Sequence, residues 1–157
     1  MPHLTQRRLA LVCAGILAFV PALLGTPRQL AEKPDYFNGK VVPLATFLEK
    51  QNAKLDADAN NSSLVLVTDS GKIYNLVKDT GSRMFFLDKG LLNRPMRLSA
   101  RTIANSQMLQ VVNVNSYVDG KLHEVYYWCD TCAIRDSEPG DCQCCGDKFV
   151  FREVPVK

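Results

Sequence analysis

The sequence predicts a mainly β protein: a small barrel with one short helix, preceded by an apolar N-terminal segment and followed by a cysteine-rich hairpin. Three observations carry this prediction. Residues 9–25 form an uncharged apolar run, β-rich runs recur through residues 39–125, and five of the six cysteines fall within the last 29 residues, between Cys129 and Cys145. The chain is therefore expected to divide into four parts: the apolar segment (residues 1–26), a linker (27–38), the small barrel (39–125) and the cysteine-rich hairpin (126–157).

The composition is that of a globular protein, with 46% apolar and 22% charged residues. The formal net charge of +3 arises entirely in residues 1–31, which contain Arg7, Arg8 and Arg28 and no acid. The remainder carries 16 basic and 16 acidic residues. A neutral body exerts no general attraction on nucleic acid or on anionic lipid.

The N-terminus has the pattern of an export signal, because a short basic start precedes the apolar run. A membrane-spanning helix needs about 20 apolar residues, with a lower limit of about 17. Residues 9–25 reach that limit, and Pro21 suits a cleavage region, but no A-x-A site follows. The segment could be a cleaved signal or a retained anchor. Cys13 lies inside the apolar run and is interpreted as one of its apolar residues. Residues 32–157 are expected outside the cytoplasm, and Arg7 and Arg8 are expected on the cytoplasmic side of the membrane.

The middle of the chain alternates between β-rich runs and turn residues. Residues 64–68 and 72–77 flank Asp-Ser-Gly, which predicts a hairpin. A short helix is expected over residues 83–93, where apolar side chains recur at helical spacing until Pro95. Further strands are expected over residues 96–103, 108–117 and 122–128.

Five strands with one helix after the third is the order of an OB-fold barrel. The stretches GKVVPLATFL, LVLVTDSGKIYNLV and RPMRLSARTI resemble bacterial OB-fold domains across residues 39–118. An SH3-like or other small barrel is the alternative. OB-folds often bind nucleic acid, and Arg94, Arg97 and Arg101 could line a basic groove. Since the aromatic residues of this part lie mostly within apolar runs, nucleic-acid binding is not favoured.

The cysteines have the spacing of a metal site, Cys129-x2-Cys132-x9-Cys142-x2-Cys145. Two CxxC turns that face each other supply four thiolates to a tetrahedral zinc ion. Gly146 follows the second turn, where a positive φ is often required.

The β-rich residues 121–128 and 148–154 could pair as a hairpin above the metal. This arrangement resembles a rubredoxin-type zinc ribbon over residues 126–151. The resemblance implies a structural zinc ion, and iron is a further option for the same four ligands.

Cys144 is one cysteine more than a four-ligand site needs, and it could be a spare thiol or an alternative ligand. Disulfides are a competing interpretation, because an exported chain normally meets an oxidising compartment. Thiol–disulfide redox chemistry is another, although neither CxxC begins a convincing helix.

The sequence thus favours a non-enzymatic binding or assembly module, exported or membrane-anchored, whose partner is another envelope protein. No catalytic group of residues is evident, since the two histidines are His3, in the export segment, and His123. The first alternative is a thiol-redox or metal-handling envelope protein. A nucleic-acid-binding protein is less favoured, because residues 126–157 hold six acids and four bases around an anionic thiolate site.

Overall fold

The structure is a computed structural model that describes residues 33–53, 55–56 and 62–157. The predicted export segment, with Cys13, lies outside the described residues. None of the helices in the described part of the chain has the length and apolar character that crossing a bilayer requires.

The predicted mainly β class is confirmed. The described residues form eight strands and a few short helices, in the order β1 (Asp35–Pro43), α1 (Leu44–Glu49), β2 (Leu64–Thr68), β3 (Ile73–Leu76), α2 (Arg83–Leu87), a 3-10 helix (Lys89–Leu91), β4 (Pro95–Thr102), β5 (Met108–Val118), β6 (Lys121–Cys129), β7 (Ile134–Asp136) and β8 (Val150–Pro155).

The first five strands form a ring in the order β1–β2–β3–β5–β4 and back to β1. All pairings in the ring are antiparallel except the closing contact between β3 and β5, which is parallel and spans two residue pairs. The sheet then continues from β5 to β6, and β6 pairs with β7 and β8 on its two edges. The ring is therefore not a clean barrel.

The predicted hairpin is confirmed as β2 and β3, and the three later strands as β4, β5 and β6. The single helix expected over residues 83–93 is wrong in its extent. Asp88 is extended, with φ −112° and ψ 101°, and its carboxylate accepts a hydrogen bond from the Gly90 N–H at 2.8 Å. That local bond ends α2 at Leu87 and starts the separate 3-10 helix.

Two further features differ from the sequence expectation. Strand β1 begins at Asp35, inside the stretch expected to be a linker, because residues 35–40 pair with β4. Helix α1 was not anticipated; Pro43, which cannot donate to a sheet, is its N-cap.

Gly39 lies where β1 changes partners, since it pairs with Thr68 of β2 and with Met96 of β4. A Cβ atom at this position would stand 2.2 Å from the carbonyl oxygen of Val67. Only glycine permits this approach of the two backbones, so residue 39 fixes the path of β1 around the ring.

The core of the ring extends into the cysteine-bearing strands. Leu66, Met96, Leu98 and Leu109 are fully buried in the ring, and Tyr127 of β6 belongs to the same cluster. The rings of Tyr127 and Phe151 pack at 5.6 Å between centroids. The boundary expected between residues 125 and 126 falls inside β6, which pairs with β5 of the ring and carries the first cysteine of the hairpin.

Candidate metal centre

Strand β6 positions the first cysteine pair. It ends at Cys129, the chain turns through residues 130–133, and β7 returns along β6 with Ile134 opposite Cys129. The first CxxC is thus the turn of the β6–β7 hairpin. The Cys132 N–H donates to the Cys129 Sγ at 3.4 Å, which is the contact expected inside such a turn.

The second cysteine pair occupies the turn of a smaller hairpin. Asp141 and Lys148 pair across this turn. Inside it, the Cys142 N–H donates to the Asp147 carbonyl at 2.7 Å, and the Gly146 N–H donates to the Cys142 carbonyl at 2.8 Å. The chain then enters β8, which pairs with β6 along the edge opposite β7. The predicted hairpin of residues 121–128 with 148–154 is confirmed by this pairing.

Because β7 and β8 flank the same strand, the two turns meet at one end of β6. The sulfur atoms of Cys129, Cys132, Cys142 and Cys145 all lie within 4.8 Å of one another. The Sγ atoms of Cys129 and Cys145 are 3.5 Å apart, and the described cysteines are free thiols. Cys129 and Cys142 are buried, with exposed fractions of 0% and 3%, whereas Cys145 is exposed.

The residue after each CxxC adopts a left-handed backbone. Gly146 has φ 80°, as the sequence predicts, and Ala133 has φ 53° at the equivalent place after the first pair. The sequence interpretation missed Ala133, although its position relative to Cys132 matches that of Gly146 relative to Cys145. Left-handed alanine costs about 1–2 kcal/mol, so this conformation persists because the surrounding turn enforces it.

Backbone N–H groups favour the thiolate form of Cys142. The N–H groups of Cys145 and Cys144 point at the Cys142 sulfur and lower the pKa of Cys142 to about 7. In contrast, hydrogen bonding with the thiol of Cys144, and then with that of Cys145, raises the pKa of Cys132. Crowded thiols without a cation compete for protons in this way, and a bound cation relieves the competition.

Polar contacts tie the two turns to each other and to the sheet. The Thr131 hydroxyl, in the first turn, donates to the carboxylate of Asp147, just after the second. Arg152 of β8 donates to both carboxylate oxygens of Asp130 at 2.8 and 3.0 Å. These contacts hold the turns in register from their outer side. The spacing of the cysteines alone gives no sign of them.

Cys144 lies outside the group of four sulfurs and is exposed. Its thiol is within hydrogen-bonding reach of Cys132. The structure thus brings together the pairs Cys129–Cys132 and Cys142–Cys145, and leaves Cys144 as an accessible thiol beside them.

The donor set can accommodate a zinc ion. Zn–S bonds of about 2.3 Å in a tetrahedron place sulfur atoms about 3.8 Å apart. The four sulfurs here lie within 4.8 Å of one another, so small side-chain adjustments would meet that geometry. Four sulfur donors without an oxygen or nitrogen ligand suit zinc or iron and do not suit magnesium or calcium.

The remaining sequence candidates lie away from the cysteines. His123 is in the first half of β6, and its Nδ1 lies 3.0 Å from the Lys121 carbonyl. Arg94 forms an ion pair with Glu153 of β8. Arg97 lies between two tyrosine rings on the outer face of β4.

No protein-family model, curated protein or solved structure matches this chain.

Proposed function

We propose that this chain is a zinc protein in which four thiolates hold a structural ion, and that it works as a non-enzymatic binding or assembly module. The observation that carries this proposal is the convergence of the Cys129, Cys132, Cys142 and Cys145 sulfurs within 4.8 Å. Four cysteine ligands leave no open coordination position, which is the pattern of structural zinc sites.

The zinc would fix the far end of β6. Two separate turns meet there, and β7, which follows the first turn, has only three residues. An ion that links the two turns compensates for the small apolar area that such turns can bury. The chain would thereby present a rigid, acidic surface at the cysteine end to a partner.

The ring supports the finer fold assignment of this proposal. The order β1–β2–β3–β5–β4, with α2 between β3 and β4 and a parallel contact between β3 and β5, matches an OB-like barrel. The C-terminal part, with two CxxC turns on adjacent hairpins, resembles a rubredoxin-type zinc ribbon.

The location proposed for the module is outside the cytoplasm. The support is the basic start and apolar run of residues 1–25, which have the pattern of an export signal or anchor. Residues 32–157 would then face another envelope protein, with the membrane reached through the N-terminal segment. Protease treatment of cells whose outer membrane has been permeabilised should degrade the C-terminal part; protection until the inner membrane is lysed would contradict this location.

Metal analysis of the purified full chain tests the zinc proposal. We expect about one zinc ion per chain, as for a closed four-ligand site. Cys129→Ser and Cys142→Ser should lose the metal, because each removes a buried ligand. Cys144→Ser is the matched control, since it changes an adjacent exposed cysteine outside the group of four, and should keep full zinc content. Zinc loss in the control, or a metal-free chain with paired sulfurs, would contradict the proposal.

A thiol-redox or metal-handling protein is a second candidate. The exposure of Cys144 beside Cys132 favours it, because an accessible thiol next to a metal site can exchange with the ligands. Such a protein would release its metal readily to a chelator, and Cys144→Ser would slow that release. A structural site would retain zinc in the folded state whether or not Cys144 is present.

A further inference from the structure

A second concave site lies at the end of β6 opposite Cys129. It is a polar groove of about 540 Å³ on the outer face of the sheet, and its lining includes Tyr36, Arg97, Ser99, Asn115 and Pro155. Its volume falls in the range of about 300–1,000 Å³ that is typical of small-molecule sites. The two lining residues of β4, Arg97 and Ser99, alternate with the fully buried Met96 and Leu98, so their side chains face outward.

Strand register assembles this lining. Arg97 pairs with Asn38 of β1 on one side and with Asn115 of β5 on the other. Ser99 pairs in the same way with Tyr36 and with Asn113. Directly opposed residues lie on the same face of a sheet, so an arginine, three amides, a hydroxyl and a tyrosine gather in two adjacent rows.

Arg97 is held in place and still has donors to offer. Its Nε donates to the Asn38 Oδ1 at 3.1 Å, and the Tyr117 hydroxyl donates to the same oxygen at 3.1 Å. Its guanidinium carbon lies 5.8 Å from the ring centre of Tyr36 and 5.5 Å from that of Tyr117. No carboxylate of the described residues pairs with Arg97. The two terminal nitrogens therefore remain available in a fixed plane.

Two buried polar side chains line the same groove. Asn115 and Ser99 are each only 8% exposed. Within the described part of the chain, neither side chain has a hydrogen-bond partner, and both contribute to the wall of the groove. Among the described residues, the buried side-chain oxygens that lack a partner belong to Asp79 and Gln110, so the polar atoms of Asn115 and Ser99 are open to the groove and can bond a ligand there.

The carboxylate that borders the groove does not neutralise Arg97. Glu124 lies opposite Asn115, and its Oε1 is 2.7 Å from Arg135 Nη2, on another strand. The groove is thus left with the positive charges of Arg97 and Lys157 and with neutral donors around them. That combination selects for an anionic oxygen group rather than for a cation or an apolar ligand.

We propose that this groove binds a small organic anion, whose carboxylate or phosphate oxygens accept from Arg97 and whose polar body is held by Asn115 and Ser99. Planar guanidinium groups bind both kinds of anion through two parallel hydrogen bonds. Tyr36, which is 72% exposed, offers an aromatic face to the body of the ligand. This site is independent of the zinc site, because it uses none of the cysteines.

The test is a calorimetric titration of the purified full chain with three probes: sodium glucuronate, inorganic phosphate and glucose. We expect at least one of the two anions to bind with millimolar or tighter affinity and neutral glucose not to bind. Binding of glucuronate alone assigns a carboxylate ligand, binding of phosphate alone assigns a phosphate ligand, and either result supports the site.

Variants show whether binding occurs at Arg97. Arg97→Gln should weaken binding by about tenfold or more, because it removes a charge-assisted bidentate contact, and Arg97→Lys should restore only part of it. Arg101→Gln is the matched control, since it changes an arginine of the same strand that does not line the groove. Absence of binding by both anions, equal binding of glucose, or equal weakening by Arg97→Gln and Arg101→Gln would overturn the proposal. Unchanged circular dichroism excludes misfolding of the variants.

Discussion

Tyr127 should be the strongest single link between the ring and the metal centre. Its side chain is 2% exposed, and its hydroxyl donates to the Asp88 Oδ2 at 2.7 Å, between α2 and the 3-10 helix. Tyr127→Phe keeps the ring contact with Phe151 and removes only the hydroxyl. A hydrogen bond to a charged group contributes about 1.5–3 kcal/mol, and the carboxylate keeps its bond from the Gly90 N–H. We therefore expect a loss near the lower end, about 1.5–2 kcal/mol.

Urea denaturation, followed by tryptophan fluorescence, measures this loss. The matched control is Tyr126→Phe, on the neighbouring position of β6, because Tyr126 packs through its ring against Trp128 and Arg135. The control should change the free energy of unfolding by less than about 0.5 kcal/mol, as is usual away from buried contacts. Equal stability of Tyr127→Phe and Tyr126→Phe would refute the reasoning, and zinc content should be the same in both variants.

Four further predictions concern three backbone positions and the ionisation of Tyr127. Gly146→Ala should lower the free energy of unfolding by about 1–2 kcal/mol, because φ is 80° at that residue. Ala133→Gly should be neutral or stabilising by up to about 1 kcal/mol in the same denaturation assay. A more stable Gly146→Ala or a less stable Ala133→Gly would contradict the left-handed backbone at that residue. Gly39→Ala should cost about 3 kcal/mol or prevent folding, since the new Cβ meets the Val67 carbonyl. A Gly39→Ala melting temperature equal to that of the parent would refute that close approach. Finally, burial first, and then the hydrogen bond to Asp88 and its charge, raise the pKa of Tyr127. The unfolded chain therefore loses this proton first, and stability should fall as pH rises above about 10; Tyr127→Phe should show a smaller fall, and an identical fall would contradict the assignment.

The sequence predicted those features that local patterns determine. Asp69, Ser70 and Gly71 specify the β2–β3 hairpin, and the structure has it there. The spacing of Cys129, Cys132, Cys142 and Cys145 predicted one group of four residues, which the structure brings together. Whether this group binds zinc stays a prediction.

Features that depend on contacts between residues far apart along the chain could not be predicted from the sequence. The β3–β5 contact joins residues 75–76 to residues 108–109, and no local pattern encodes a pairing of that kind. The division of the helix at Asp88 depends on one side chain that bonds its own backbone and Tyr127. The groove around Arg97 needed the register of several strands, because its residues are spread along the chain from Tyr36 to Lys157.

The central claim is that four sulfurs bind one zinc ion, and X-ray absorption at the zinc edge tests it most directly. The purified full chain should give a first shell of four sulfur atoms at about 2.3 Å, the distance of a cysteine-bound zinc ion. Nitrogen or oxygen atoms in that shell, or no zinc signal from a chain whose cysteines have formed disulfides, would contradict the account.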